Sequence, residues 1–143
     1  MIVNGANADA LTVATSSGDI KLDSVSSKDT RISANSGDVS LGDVVMDNID
    51  LKTSSGNITS GSIKAKRING RASSGDVMIR DCDASEINVV TTSGDVSIGI
   101  GSEMKYEYNT KTSSGDVNVP DSVEGADGKC NIETSSGDID VTQ

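Results

Sequence analysis

At 143 residues the chain is the length of one domain. It contains no Phe, Trp or His and only two aromatic residues, Tyr106 and Tyr108, which excludes a core built on large aromatics and leaves Val, Ile and Leu to form it. The formal net charge of −10 speaks against a nucleic-acid partner, because phosphate binding rests on clustered Lys and Arg.

From the N-terminus, the first clear pattern is Leu11, Val13 and Thr15 alternating with polar residues and running into Ser16-Ser17-Gly18-Asp19. Ile20 and Leu22 then alternate about Lys21, and Val25 follows. Alternation of this kind is a strand with one buried face. The same sequence of events passes through Gly37, Gly56, Gly75, Gly94, Gly115 and Gly137, at intervals of 19, 19, 19, 19, 21 and 22 residues. A fixed period near 20 is the mark of a repeat architecture, in which one unit cannot bury its apolar face until the next stacks on it.

Counting each repeat glycine as position 0 gives columns of like residues. Position +2 is Ile20, Val39, Ile58, Val77, Val96, Val117 and Ile139, and +4 is apolar in every unit but the third, where Ser60 stands. Positions −7, −5 and −3 form a second inward stripe that narrows to Thr and Ala near the corner, and +7 adds Val25, Val44, Ile63 and Cys82. The prediction is an all-β fold, a single-stranded right-handed parallel β-helix (β-solenoid) of about seven coils of 19–22 residues. Successive coils stacked at the strand spacing of about 4.8 Å would make a rod roughly 30–35 Å long.

The corner has its own chemistry. Glycine at position 0 can take a positive φ, while Ser at −1 and Asp at +1 can bond neighbouring backbone groups. Asp19, Asp38, Asp76, Asp95, Asp116 and Asp138 form a carboxylate column interrupted by Asn57, which keeps the acceptor oxygen without the charge. Corner hydrogen bonding is therefore the expected role. Calcium held by the stacked carboxylates is the alternative. No residue is assigned as catalytic, cofactor-binding or metal-binding, and no cofactor is expected. The chain lacks His and Trp, and its acids are mostly accounted for by the repeat.

The extra residues of the last units fall around Gly99-Ile100-Gly101-Ser102 and over 120–129, which places both insertions on one side of the rod. The basic cluster of Lys64, Lys66, Arg67 and Arg71, with Arg80 beyond, reads as a solvated face. Cys82 and Cys130 both fall on inward positions, two or more coils apart and beyond disulfide reach, and are expected as buried free thiols. No run of residues reads as a signal peptide or a membrane span. Met1 and Val3 fall at +2 and +4 of a unit whose glycine would precede the chain, and Gln143 follows directly on the last +4 residue. This register leads to the expectation of one β-solenoid domain over 1–143, a segment of a longer envelope protein, with no capping segment at either end.

The unit Ser-Ser-Gly-Asp-[Ile/Val]-x-[Leu/Ile/Val], in register from Leu11 to Val141, resembles the bacterial adhesin-type repeat family whose domain of unknown function is called DUF4097. The resemblance implies a β-helical domain in envelope proteins at the cell surface, and it supplies no catalytic residues and no ligand. The reading that follows is a non-enzymatic surface module, an adhesin or structural scaffold, with a protein or glycan surface ligand, no nucleic acid and no direct membrane insertion by this segment. Two alternatives accompany it: a calcium- or ligand-binding module on the Asp column, and a scaffold that self-associates end to end through open coil edges.

Overall fold

The computed structural model describes residues 1–101 and 103–143. Strands hold 76% of the chain, no helix forms among the described residues, and the sheet is parallel, its stacked coils making a β-solenoid of about seven turns. The strands are β1 (Ile2–Asn4), β2 (Asn7–Ser17), β3 (Ile20–Asp23), β4 (Val25–Ser36), β5 (Val39–Leu41), β6 (Val44–Ser55), β7 (Ile58–Ser74), β8 (Val77–Ser93), β9 (Val96–Ile100), β10 (Tyr106–Ser114), β11 (Val117–Asn118), β12 (Gly128–Ser136) and β13 (Ile139–Thr142).

Each coil has a short wall just after the repeat glycine and a long wall leading to the next. The short walls stack as β1-β3-β5-β7-β8-β9-β13-β11 and the long ones as β2-β4-β6-β7-β8-β12-β10, with β7 and β8 each contributing to both. Pairing is in register by repeat position, so Ile20 lies against Val39, Ile32 against Leu51 and Ile68 against Ile87.

The inward columns predicted from the alternation form the core, with exceptions at the ends of the rod: Val117 at +2 is 44% exposed, and Leu11 at −7 and Thr110 at −5 are half-buried. Ile20, Val39, Ile58, Val77, Val96 and Ile139 at +2 are at most 1% exposed. Ile49, Ile68, Ile87 and Cys130 at −7, and Ile32, Leu51, Val89 and Ile132 at −5, are equally buried. A further inward column at +9, Ser27, Met46 and Ala84, was not legible because its residue types differ from coil to coil. Ser60 occupies the +4 place between Leu41 and Ile79 with its hydroxyl buried and unpartnered among the described residues.

The coils do not stack in chain order, which corrects the expectation of successive stacking. After β9 the chain rises past the next open place on the long wall. It lays down β10 and β11, then returns through 119–127 to insert β12 between β8 and β10, and β13 between β9 and β11. The two longer intervals in the repeat are this detour. The ascent follows β9, with Ser102 of the expected 99–102 insertion outside the described residues, and 119–127 carries the descent.

The descending segment also covers part of the edge, contrary to the expectation of an uncapped end. Val123 N–H donates to the Tyr106 carbonyl at 2.9 Å and Tyr108 N–H donates to Ser122 Oγ at 2.9 Å, so the first residues of β10 are satisfied on their outer side. Pro120 in this segment has no N–H to offer a further strand.

The charges along the long wall favour this order. Lys129 lies in register between Glu86 and Glu107. Chain-order stacking would set those two glutamates against each other, and like charges directly opposite destabilise a sheet. Gly128 supplies a second reason. It lies against Tyr106, and a Cβ there would meet the ring at 2.6 Å. Without that side chain the Tyr106 hydroxyl reaches past β12 and donates to the Ala84 carbonyl of β8 at 2.5 Å. One side chain thereby ties three coils together.

Candidate functional site

The corner column is built by glycine. Gly18, Gly37, Gly56, Gly75, Gly94, Gly115 and Gly137 have φ between 111° and 147°, a region that L side chains rarely adopt. From Gly37 onward a Cβ would also lie 2.1–2.3 Å from the carbonyl oxygen of the glycine in the preceding coil, whereas at Gly18 it would meet nothing within 4 Å. The glycines are thus required twice over, by conformation and by stacking.

At this tight corner one backbone donor per coil has no carbonyl opposite it, and the Asp side chain takes its place. Asp38 N–H donates to Asp19 Oδ1 at 3.0 Å, Asn57 N–H to Asp38 Oδ1 at 2.8 Å, and Asp76 N–H to Asn57 Oδ1 at 2.9 Å. The ladder continues through Asp95, Asp138 and Asp116 in the interleaved order, at 2.8–2.9 Å. Asn57 works as well as Asp because the ladder uses one side-chain oxygen. The column is a backbone-completing device. Among the described residues, no three His, Cys, Asp or Glu side chains are gathered so as to hold a metal ion.

The outward face of the long wall carries a second array. Asn88 Nδ2 donates to Asn69 Oδ1 at 3.2 Å, Asn131 to Asn88 at 2.8 Å, and Asn109 to Asn131 at 3.1 Å, an asparagine ladder over four coils. Beside it, ions of opposite sign face each other between coils: Lys28 with Asp9, Lys66 with Asp47, Arg31 with Asp50, Arg67 with Glu86 and Lys111 with Glu133, at 2.9–3.7 Å. All are substantially exposed, so each contributes under about 1 kcal/mol to stability. The Asn88 amide donating to Glu86, and to a lesser degree Arg67, hold the Glu86 carboxyl below its ordinary 4.5. Two shallow grooves, of about 370 and 320 Å³, run along this face, one over Arg31, Asp50, Arg67 and Asn69 and the other over Asn88, Asn109, Asn131 and Lys111.

The basic cluster is divided between these pairs: Lys66 and Arg67 answer acids on neighbouring coils, Lys64 lies in register with Val45 and Asp83, and Arg71 with Lys52 and Val90. The asparagine ladder was missed in the sequence. Its signal was available, since Asn69, Asn88, Asn109 and Asn131 all stand six residues before a repeat glycine.

Cys82 and Cys130 are buried free thiols, both pushed up to about 12 by burial. The interleaving corrects their expected separation. Cys130 in β12 stacks on Ile87 of β8, the strand that carries Cys82, so one coil spacing divides them instead of two or more. At that pKa neither thiol is a nucleophile at neutral pH. Tyr106 and Tyr108 lie in β10 with ring centroids 5.9 Å apart, and are 1% and 9% exposed. Both side chains serve packing: the Tyr108 hydroxyl donates to Gln143 Oε1 at 3.2 Å.

No described helix is long and apolar enough to cross a membrane. A profile of the family described as Toastrack DUF4097 matches residues 2–143. No curated protein and no solved structure matches the chain.

Proposed function

The chain belongs to the Toastrack DUF4097 family, and we propose that it serves as a non-enzymatic module of the cell envelope, an adhesin or scaffold that presents the long wall of its solenoid to a protein or glycan at the cell surface. The observation that carries this reading is the outward array of that wall. Asparagine amides repeat over four coils and ion pairs join neighbouring coils along the rest of the wall, so an extended ligand laid along the rod meets hydrogen-bonding side chains coil after coil. Binding would be distributed along the shallow grooves over Arg31, Arg67, Asn69 and Asn88. The backbone behind the array is a parallel sheet of seven stacked strands, which limits its motion and lowers the ordering cost of binding.

A glycan array probed with the chain tests this reading. Binding to a repeating glycan should fall at least tenfold in the variant Arg31→Ala/Arg67→Ala/Asn69→Ala and be unchanged by Lys21→Ala on the short wall. A signal indifferent to the long-wall variant would remove that wall as the binding surface. The cation reading of the Asp column has a separate measurement: a rise of several degrees in the melting temperature with millimolar calcium over EDTA would favour it, and no shift is expected.

A further inference from the structure

β12 and β13 are the keystone of the C-terminal coils. Among the described residues β10 pairs with no strand but β12, and β11 with none but β13. On the other side β12 and β13 complete the edges of β8 and β9. The segment that fills this place is contiguous, from Gly128 to the end of the chain, and buries Cys130, Ile132, Thr134, Ile139 and Val141 to 3% exposure or less. Its tether to the rest is the nine residues 119–127. That tether is irregular apart from one turn, Ala126 N–H to the Val123 carbonyl at 3.2 Å with Gly125 at φ 71°.

We propose that two copies of this chain exchange Gly128–Gln143, each copy's β12 and β13 filling the place between β8/β9 and β10/β11 of the other. Every contact of the inserted segment with its neighbours is the same whichever copy supplies it: the Asn88–Asn131–Asn109 ladder, Lys129 between two glutamates, Gly128 beneath the Tyr106 ring. The tether alone differs between the closed and exchanged forms. In the closed form it must cross from the short wall to the long one and descend one coil spacing, about 5 Å. Val123 and Ser122 hold it there through their bonds to β10. Exchange gives up those two bonds and lets the tether cross to the other copy. Chain order favours it too, because β10 and β11 are made before the strands that must lie beneath them, and their place stays open to a neighbour's segment. The result is a closed dimer in which each copy completes the other.

The test uses the full chain with Lys111→Cys and Glu133→Cys, positions directly opposite across β10 and β12. Heavy-isotope and light chains are mixed, warmed to partial unfolding, cooled at rising concentration and oxidised. Exchange predicts linked peptides joining a heavy 111 to a light 133, rising with concentration to the statistical share. Linkages confined to heavy–heavy and light–light at every concentration would overturn the proposal.

Discussion

At the scale of single residues, the corner separates two demands on glycine. Gly75 has φ 142° and its Cβ would stand 2.1 Å from the Gly56 carbonyl, whereas Gly18 has φ 111° and open space. Gly75→Ala should therefore cost about 3 kcal/mol or more, backbone strain and overpacking combined. Gly18→Ala bears the strain alone, about 1–2 kcal/mol. Urea denaturation of the two variants measures the difference, and equal losses would mean that stacking does not require the glycine. The carboxylate beside it is tested in the same way. Asp76→Asn should leave the denaturation midpoint within error, as Asn57 already shows in the native ladder, while Asp76→Ala should lose about 1 kcal/mol with the Asp95 N–H acceptor. The corner was readable in the sequence because each of its residue types has one mechanical reason to be there. What could not be read was the direction of the bond. The Asp side chain serves the next coil's backbone, a contact 19 residues or more away in the chain.

At the scale of elements, the strands were legible wherever alternation was strict, and the columns at +2, −7 and −5 identify the core except in the end coils, where Val117 is exposed and Leu11 and Thr110 are half-buried. The +9 column was not, since Ser27, Met46, Ala65 and Ala84 run from a hydroxyl through a long thioether to two small alanines and form no apolar signature. β10 was harder still. Tyr106 stands outside the repeat's usual pattern, and its role depends on Gly128, which is distant in sequence and adjacent in space. Tyr106→Phe removes the bond to the buried Ala84 carbonyl and should destabilise by about 1–2 kcal/mol. Its unfolding should involve the C-terminal coils first, visible as faster amide exchange in β10 and β12 with β4 and β6 unchanged. Uniform acceleration throughout the rod would show that the hydroxyl does not pin these coils.

At the scale of the whole molecule, the repeat made the β-solenoid legible and concealed its order of stacking. Every coil carries the same corner and the same inward columns, so those columns fit either order equally well. The discriminating residues lie off the repeat: Lys129 against Glu86 and Glu107, Gly128 against Tyr106, and the two lengthened intervals. The long-wall array, and with it the proposed binding surface, acquires its continuity from this order, because the asparagine ladder passes from Asn88 to Asn131 before Asn109. Two engineered cysteine pairs put that order to the test. Asn88 and Asn131 are in-register neighbours, whereas Asn88 and Asn109 are two coils apart. That separation, about 10 Å, exceeds disulfide reach. Under mild oxidation Asn88→Cys/Asn131→Cys should close to a disulfide without loss of stability, and Asn88→Cys/Asn109→Cys should stay reduced. The reverse outcome would contradict the interleaved fold and restore stacking in chain order.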